Sequence, residues 1–170
     1  LSMGGYVAFE LWRRARERII GLILANTRAV ADPPEGAEGR RTLARRLLSE
    51  GNVLADEPPP LLAEDAPAEL QERVRGWIAE QSPQAIAAAA LGMAERPDST
   101  PDLSTIDVPT VVITSTGDRL IPAEVSSEMA TRIPASRLEI LERVGHLTSL
   151  EAPDPFNAVL LEHLAVCGLG

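Results

Sequence analysis

The sequence predicts an α/β protein: a parallel sheet with flanking helices, interrupted by a helical insertion. Three observations predict it. Apolar runs of strand length, IIGLILAN at 19–26, TVVITS at 110–115 and RLEILE at 137–142, alternate with helix-like segments, and such alternation marks a parallel sheet. The first two runs are apolar on both alternating sets of positions, as suits strands covered on both faces. Between residues 33 and 101 the composition shifts to Ala, Glu, Arg and Pro, which favours helices over strands.

Taken in order, residues 4–17 read as a helix, because Val7, Ala8, Leu11, Trp12 and Ala15 recur at helical spacing. The strand at 19–26 follows. Three helices are predicted in the insertion. One covers 41–50 and stops at Gly51. Another covers 67–81. A third opens at Ser82-Pro83, an N-cap followed by proline at the first helical position, and stops before Pro97. EPPPLL, from Glu57, reads as a rigid connector. Beyond it come the strand from Thr110, a helix at 122–133, the strand from Arg137, and a closing helix capped by Asp154-Pro155. That last helix carries Phe156, Val159, Leu160 and Leu164 on one side.

The 170 residues suit one domain-sized unit, and with 45% hydrophobic but only 3% aromatic residues the core is aliphatic. A formal charge of −9 argues against nucleic acid as a partner. The basic clusters at Arg13-Arg14 and Arg40-Arg41 read as solvated helix faces. The single cysteine, Cys167, excludes an internal disulfide and fits a reducing, cytoplasmic compartment. It reads as an inert thiol. No run is long enough to cross a membrane, and no metal or cofactor is predicted.

The chemistry-bearing residues fall at turns. Ser2 stands in Ser-Met-Gly-Gly, which has the small residues a tight strand-to-helix corner needs. Such a corner exposes a serine hydroxyl, and the helix start aims N–H groups at developing negative charge. The Met3 backbone N–H is the expected oxyanion donor. The bland alternative is a serine in a glycine turn. Of the two histidines, His163 falls inside the closing helix, whereas His146 follows the strand RLEILE. Loops at the carboxyl edge of a parallel sheet are where ligands bind, so His146 is the candidate base. Asp118 follows TVVITS at the same edge; its bland reading is a turn aspartate beside Gly117.

Serine, aspartate and histidine in that chain order match the triad order of α/β-hydrolases. LSMGG resembles the core of the Gly-x-Ser-x-Gly elbow, with its first glycine position lying before Leu1. VPTVVITSTGDRLIP resembles that fold's strand and acid turn, and RVGHLTSLEAPDPFNAVLLEHL its histidine loop and last helix. NTRAVADPPEG is most similar to 3-oxoadipate enol-lactonase-type hydrolases. Two departures stand out: such proteins usually carry glycine where Ser115 stands, and some place the acid after the strand that here ends in Asn26, an amide.

The resemblance implies an incomplete α/β-hydrolase fold. Hydrolase core is expected at 1–32 and 102–170, and a helical cap at 33–101. It implies Ser2 as nucleophile, Asp118 as orienting acid and His146 as base, acting on a small ester or lactone without a cofactor. Trp77 either lines the substrate or packs the cap. The resemblance also implies that earlier strands precede Leu1, so the chain is expected to be the C-terminal portion of a longer hydrolase. Other readings remain open at this point. The chain is an inactive fragment or interaction module, whose exposed strand at 19–26 pairs with the absent half or another chain. Or the same triad serves carbon–carbon bond hydrolysis or cofactor-free haloperoxidase and perhydrolase chemistry.

Overall fold

The computed structural model describes residues 1–169. Two compact units are distinguished: Leu1–Ala29 with Pro60–Glu64 and Asp98–Gly170, and Val30–Pro59 with Asp65–Pro97.

The first unit is built on three parallel strands in the order β1-β2-β3: β1 (Leu22–Ala25), β2 (Thr110–Ser115) and β3 (Ser136–Leu141). Leu22 faces Thr110 across one ladder, and Thr110 faces Ser136 across the next. Both faces are covered, which is why the central strand carries no exposed position. On one face, Leu22, Leu24 and Val112 pack with Phe9 and Trp12 of α1 (Met3–Ala15) and with Met129 and Ala130 of α6 (Ala123–Thr131). On the other, Ala25, Val111 and Ile113 meet Phe156 and Val159 of α8 (Pro153–Val166), which follows the one-turn helix α7 (Thr148–Glu151). Alternate residues of one strand therefore serve opposite helical layers, and the run reads as continuously apolar. Phe9, 1% exposed, anchors the first layer; truncating such a buried phenylalanine to alanine costs about 3–5 kcal/mol.

Strand β1 is shorter than its apolar run. Leu22 N–H donates to the carbonyl of Pro109 at 3.0 Å, and Pro109 has no N–H with which to extend the ladder backwards. A turn of 3-10 helix at Arg16–Arg18 takes up the preceding residues. At the other end Asn26 turns to φ 43°, ending the strand.

The second unit is helical: α2 (Pro34–Glu50), α3 (Val53–Asp56), α4 (Ala68–Ala79) and α5 (Pro83–Ala94). Ala44, Leu47 and Val53 pack against Ala87 and Ala90; the alanines let helix axes approach closely. Ser82 caps α5, its hydroxyl accepting the Ala85 N–H at 3.3 Å. Helix α2 begins at Pro34, well before the expected position 41. Gly36 and Gly39 argue against helix there, at about 1 kcal/mol each. Pro34 at the helix start, buried Ala37 and the pairing of Arg40 with Asp32 outweigh them. Asp32 also takes Arg96, at 2.7 and 3.0 Å, so one buried carboxylate ties the start of α2 to the chain after α5.

Pro60–Glu64, expected as part of a connector between helices, belongs to the first unit. The Leu61 carbonyl accepts the Leu147 N–H at 3.0 Å, just past His146. Among the described residues no helix is long and apolar enough to cross a membrane.

Candidate active site

Ser2 is the residue before α1, and its backbone sits at φ 49°, ψ −119°. This is a left-handed conformation that a residue with a side chain holds only when its surroundings enforce it. Here the Ser2 N–H donates to the Ala25 carbonyl at the end of β1 at 2.9 Å, and the Ser2 carbonyl accepts from the Thr27 hydroxyl at 2.8 Å. Of the two glycines that follow, Gly5 is the demanding one. A Cβ there would lie 2.3 Å from Thr27 Oγ1, whereas one at Gly4 meets nothing within 4 Å. The tight corner expected from Ser-Met-Gly-Gly thus needs the small residue at Gly5 and not at Gly4. Met3 is the first residue of α1, and helix geometry gives the first N–H groups no intrahelical partner.

Among the described residues, the only non-glycine positions with positive φ are Ser2, Asn26 and Arg143. Each lies beside a carboxyl end of the sheet: Ser2 bonded to the end of β1, Asn26 directly after it, Arg143 just past β3.

Asp118 follows β2 by three residues and is 7% exposed. The turn is closed by the Gly117 N–H to the Val144 carbonyl at 3.0 Å, and a Cβ at Gly117 would strike that oxygen at 2.7 Å. Both carboxylate oxygens are engaged. Oδ1 accepts the N–H groups of Leu120 and Ile121 at 2.8 and 3.0 Å. Oδ2 accepts the Asn26 amide at 3.0 Å and meets His146 Nδ1 at 2.8 Å. Burial pushes the Asp118 carboxyl up, but the hydrogen bonds from His146, Ile121 and Asn26 outweigh it and hold the group below the usual carboxylate value. An ionised carboxylate only accepts, so the proton of a neutral His146 lies on Nδ1 and Nε2 keeps its lone pair.

His146 is 2% exposed. Its loop is pinned on both flanks: the Gly145 N–H donates to Glu151 Oε1 at 3.0 Å and the Gly145 carbonyl accepts the Ser115 hydroxyl at 2.9 Å, while the Leu147 N–H donates to the Leu61 carbonyl at 3.0 Å. The same Glu151 takes the Ala63 N–H at 3.0 Å through Oε2. His163 is elsewhere. It is buried in α8 within reach of Cys167 Sγ at 3.5 Å, and it continues the stripe of Phe156, Val159 and Leu160. Burial first, then the charge of Arg137, hold its pKa below the ordinary histidine value.

The structure thus joins Asp118 to His146, and fixes the backbone of Ser2 to the strand end next to Asn26. Trp77 stands on α4, 47% exposed, with the Arg73 guanidinium 5.3 Å from its ring centroid. Sequence reasoning missed Asn26, Thr148 and Glu151 as parts of this site. In the sequence Asn26 stands only as an amide that cannot act as the acid. Among the described residues no group of three or more His, Cys, Asp or Glu is placed to hold a metal ion.

A three-stranded parallel sheet covered by helices on both faces, with a strained serine before its first helix and a buried Asp–His pair at the same edge, defines a class of fold. Residues 1–159 match the alpha/beta hydrolase family model, and the chain belongs to the α/β-hydrolase family. Among solved structures it is similar to a thermophilic esterase from Thermogutta terrifontis, with 41% identity and a TM-score of 0.93 over 98% of this chain and 63% of that one. It is also similar to MenH from S. aureus, with 28% identity and a TM-score of 0.86 over 98% of this chain and 66% of that one. The enol-lactonase from Burkholderia xenovorans LB400 shows 28% identity and a TM-score of 0.81 over 97% of this chain and 64% of that one. The chain therefore spans slightly less than two thirds of the length of these relatives.

Proposed function

We propose that this chain carries the nucleophile, base and acid of a serine hydrolase acting on small carboxylic esters or lactones. The observation that carries the reading is the buried 2.8 Å Asp118–His146 hydrogen bond, at the sheet edge where Ser2 holds its strained turn. In this mechanism Ser2 Oγ adds to the carbonyl carbon while His146 Nε2 takes its proton. The Met3 N–H, at a helix N-terminus, donates to the oxyanion that forms. Collapse expels the alcohol, which takes the proton from Nε2 and leaves an ester on Ser2. Water then attacks that ester, again through His146, and frees the acid and the serine. Asp118 holds the imidazole tautomer and stabilises its cation.

The 41% identity to an esterase supports the ester class. The likeness to an enol-lactonase, together with NTRAVADPPEG, supports an enol-lactone, with 3-oxoadipate enol-lactone as the particular candidate. The proposal extends to a further polypeptide along β1, an edge strand of the sheet; edges of this kind pair readily. That polypeptide would supply a second oxyanion donor, and lacking one donor costs about 10²–10³ in turnover.

The test is hydrolysis of p-nitrophenyl acetate and of the enol-lactone by the chain alone, and by the chain mixed with the N-terminal third of an esterase relative. Turnover is expected to be weak alone, stronger in the mixture, and abolished by Ser2→Ala in both. Turnover that survives Ser2→Ala overturns the proposal.

A further inference from the structure

The acid–base pair is embedded in a buried polar ring that the proposed mechanism does not use. Asn26 is wholly buried and left-handed. One of its amide hydrogens goes to Asp118 Oδ2 at 3.0 Å, and the other to the Ser115 hydroxyl at 2.9 Å. Its carbonyl oxygen accepts the Thr148 hydroxyl at 2.8 Å. Ser115 passes its own proton to the Gly145 carbonyl at 2.9 Å. Ser115 and Thr148 are 1% and 0% exposed.

The directions in this ring are forced. A carboxylate cannot donate, so the amide nitrogen faces Asp118. With both amide hydrogens donated, the Ser115 hydroxyl must send its own hydrogen to Gly145. Thr148 holds the amide in this orientation: turned over, Asn26 would set a carbonyl oxygen against the Asp118 carboxylate. The left-handed backbone at Asn26 suits a short polar side chain. The ring also grips the histidine loop on both sides, at Gly145 and at Thr148. Without the Ser115 hydroxyl, nothing would link the Asn26 amide to the Gly145 carbonyl along this path.

We propose that Asn26, braced by Ser115 and Thr148, is a positioning residue that fixes Asp118 Oδ2 on His146 and clamps the histidine loop to the ends of β1 and β2. The inference deepens the hydrolase reading and rests on it for its catalytic consequence. Its structural consequence, the protection of the His146 Nδ1 proton, stands apart from catalysis.

The test compares wild-type chain with Asn26→Ala, Ser115→Ala, Thr148→Val and Thr148→Ser. Nitrogen-15 NMR reads the His146 tautomer and the solvent exchange of its Nδ1 proton; His163→Asn distinguishes the two rings. Losing a hydrogen bond to a charged group corresponds to roughly ten-fold or more. The Nδ1 proton should therefore exchange about ten-fold faster in Asn26→Ala and several-fold faster in the isosteric Thr148→Val. Thr148→Ser, which keeps the hydroxyl, should restore protection. In p-nitrophenyl acetate turnover, assayed with the N-terminal third of the esterase relative added, kcat should fall in parallel with KM unchanged. A residue that only supports the fold would lower Tm without moving exchange or kcat. Unchanged exchange in both folded Asn26→Ala and Thr148→Val overturns the inference. Faster exchange in these variants, with turnover indifferent to Ser2→Ala, upholds it while the hydrolase reading falls.

Discussion

Gly145→Ala tests how the histidine loop is held. A Cβ at this position would lie 2.2 Å from the Ala63 nitrogen, 2.4 Å from the Leu62 carbonyl carbon and 2.6 Å from Glu151 Oε1. Two of these are backbone atoms, so the loop and residues 60–64 must separate. Overpacking of this kind costs about 1–3 kcal/mol. Separation also strains the bonds from Gly145 and Ala63 to Glu151 and from Leu147 to Leu61, each worth about 1 kcal/mol. Partial relaxation keeps the total near 2–4 kcal/mol. At about 2–4 °C per kcal/mol for a chain of this size, Tm should fall by about 5–15 °C. Calorimetry measures this, and amide exchange at Ala63 and Leu147 should rise with it. Glu151→Gln keeps the shape but has one acceptor oxygen, so its amide nitrogen must face the Gly145 or the Ala63 N–H and one of these two bonds is lost; Tm should fall without the Gly145→Ala clash. Gly145→Ala with Tm within about 1 °C of wild type, and Ala63 as protected as before, would refute the reasoning, because atoms cannot share that space.

Two further outcomes concern charge. Burial raises the Asp32 carboxyl, but Arg96 and Arg40 outweigh it and hold the group well below its ordinary value of 3.8. The unfolded chain therefore binds the proton first, and the stability Asp32 contributes is present above about pH 4 and lost as pH falls below it. Urea melts should show Asp32→Asn weaker than wild type by about 3 kcal/mol at pH 7, as for broken buried pairs, with the two converging in acid; a gap independent of pH refutes this. His163 is held neutral by burial and by Arg137, so its share of stability is full above the ordinary histidine value of 6.5 and declines as pH falls below it. His163→Asn should remove that slope and leave turnover intact, while His146→Ala should abolish turnover; equal losses of turnover would overturn the distinction.

Particular residues show how far sequence reading reaches. The helices at 4–17, 67–81 and 122–133 were legible to within a few residues, because an amphipathic stripe is a local property. α2 was read too short because Gly36 and Gly39 weigh against helix locally, while the Asp32–Arg40–Arg96 cluster that supports it spans 64 positions. The segment 60–64 gave no signal beyond its one proline, Pro60. Its role against the histidine loop depends on where Leu147 and Glu151 fall in space.

By itself the sequence determined the layered α/β class, the two-faced burial of the first two strands, and the polar residues standing at strand ends. These follow from periodicity and turn chemistry, which act over a few residues. Only the tertiary structure decided which of those residues meet. Asn26 reaches Ser115 and Asp118 across 89 and 92 positions, and Thr148 reaches Asn26 across 122. Such bonds depend on strand register and on the left-handed turn at Asn26. A slip of one residue would turn every strand side chain to the opposite face, so the partners of Asp118 exist only once the sheet is assembled.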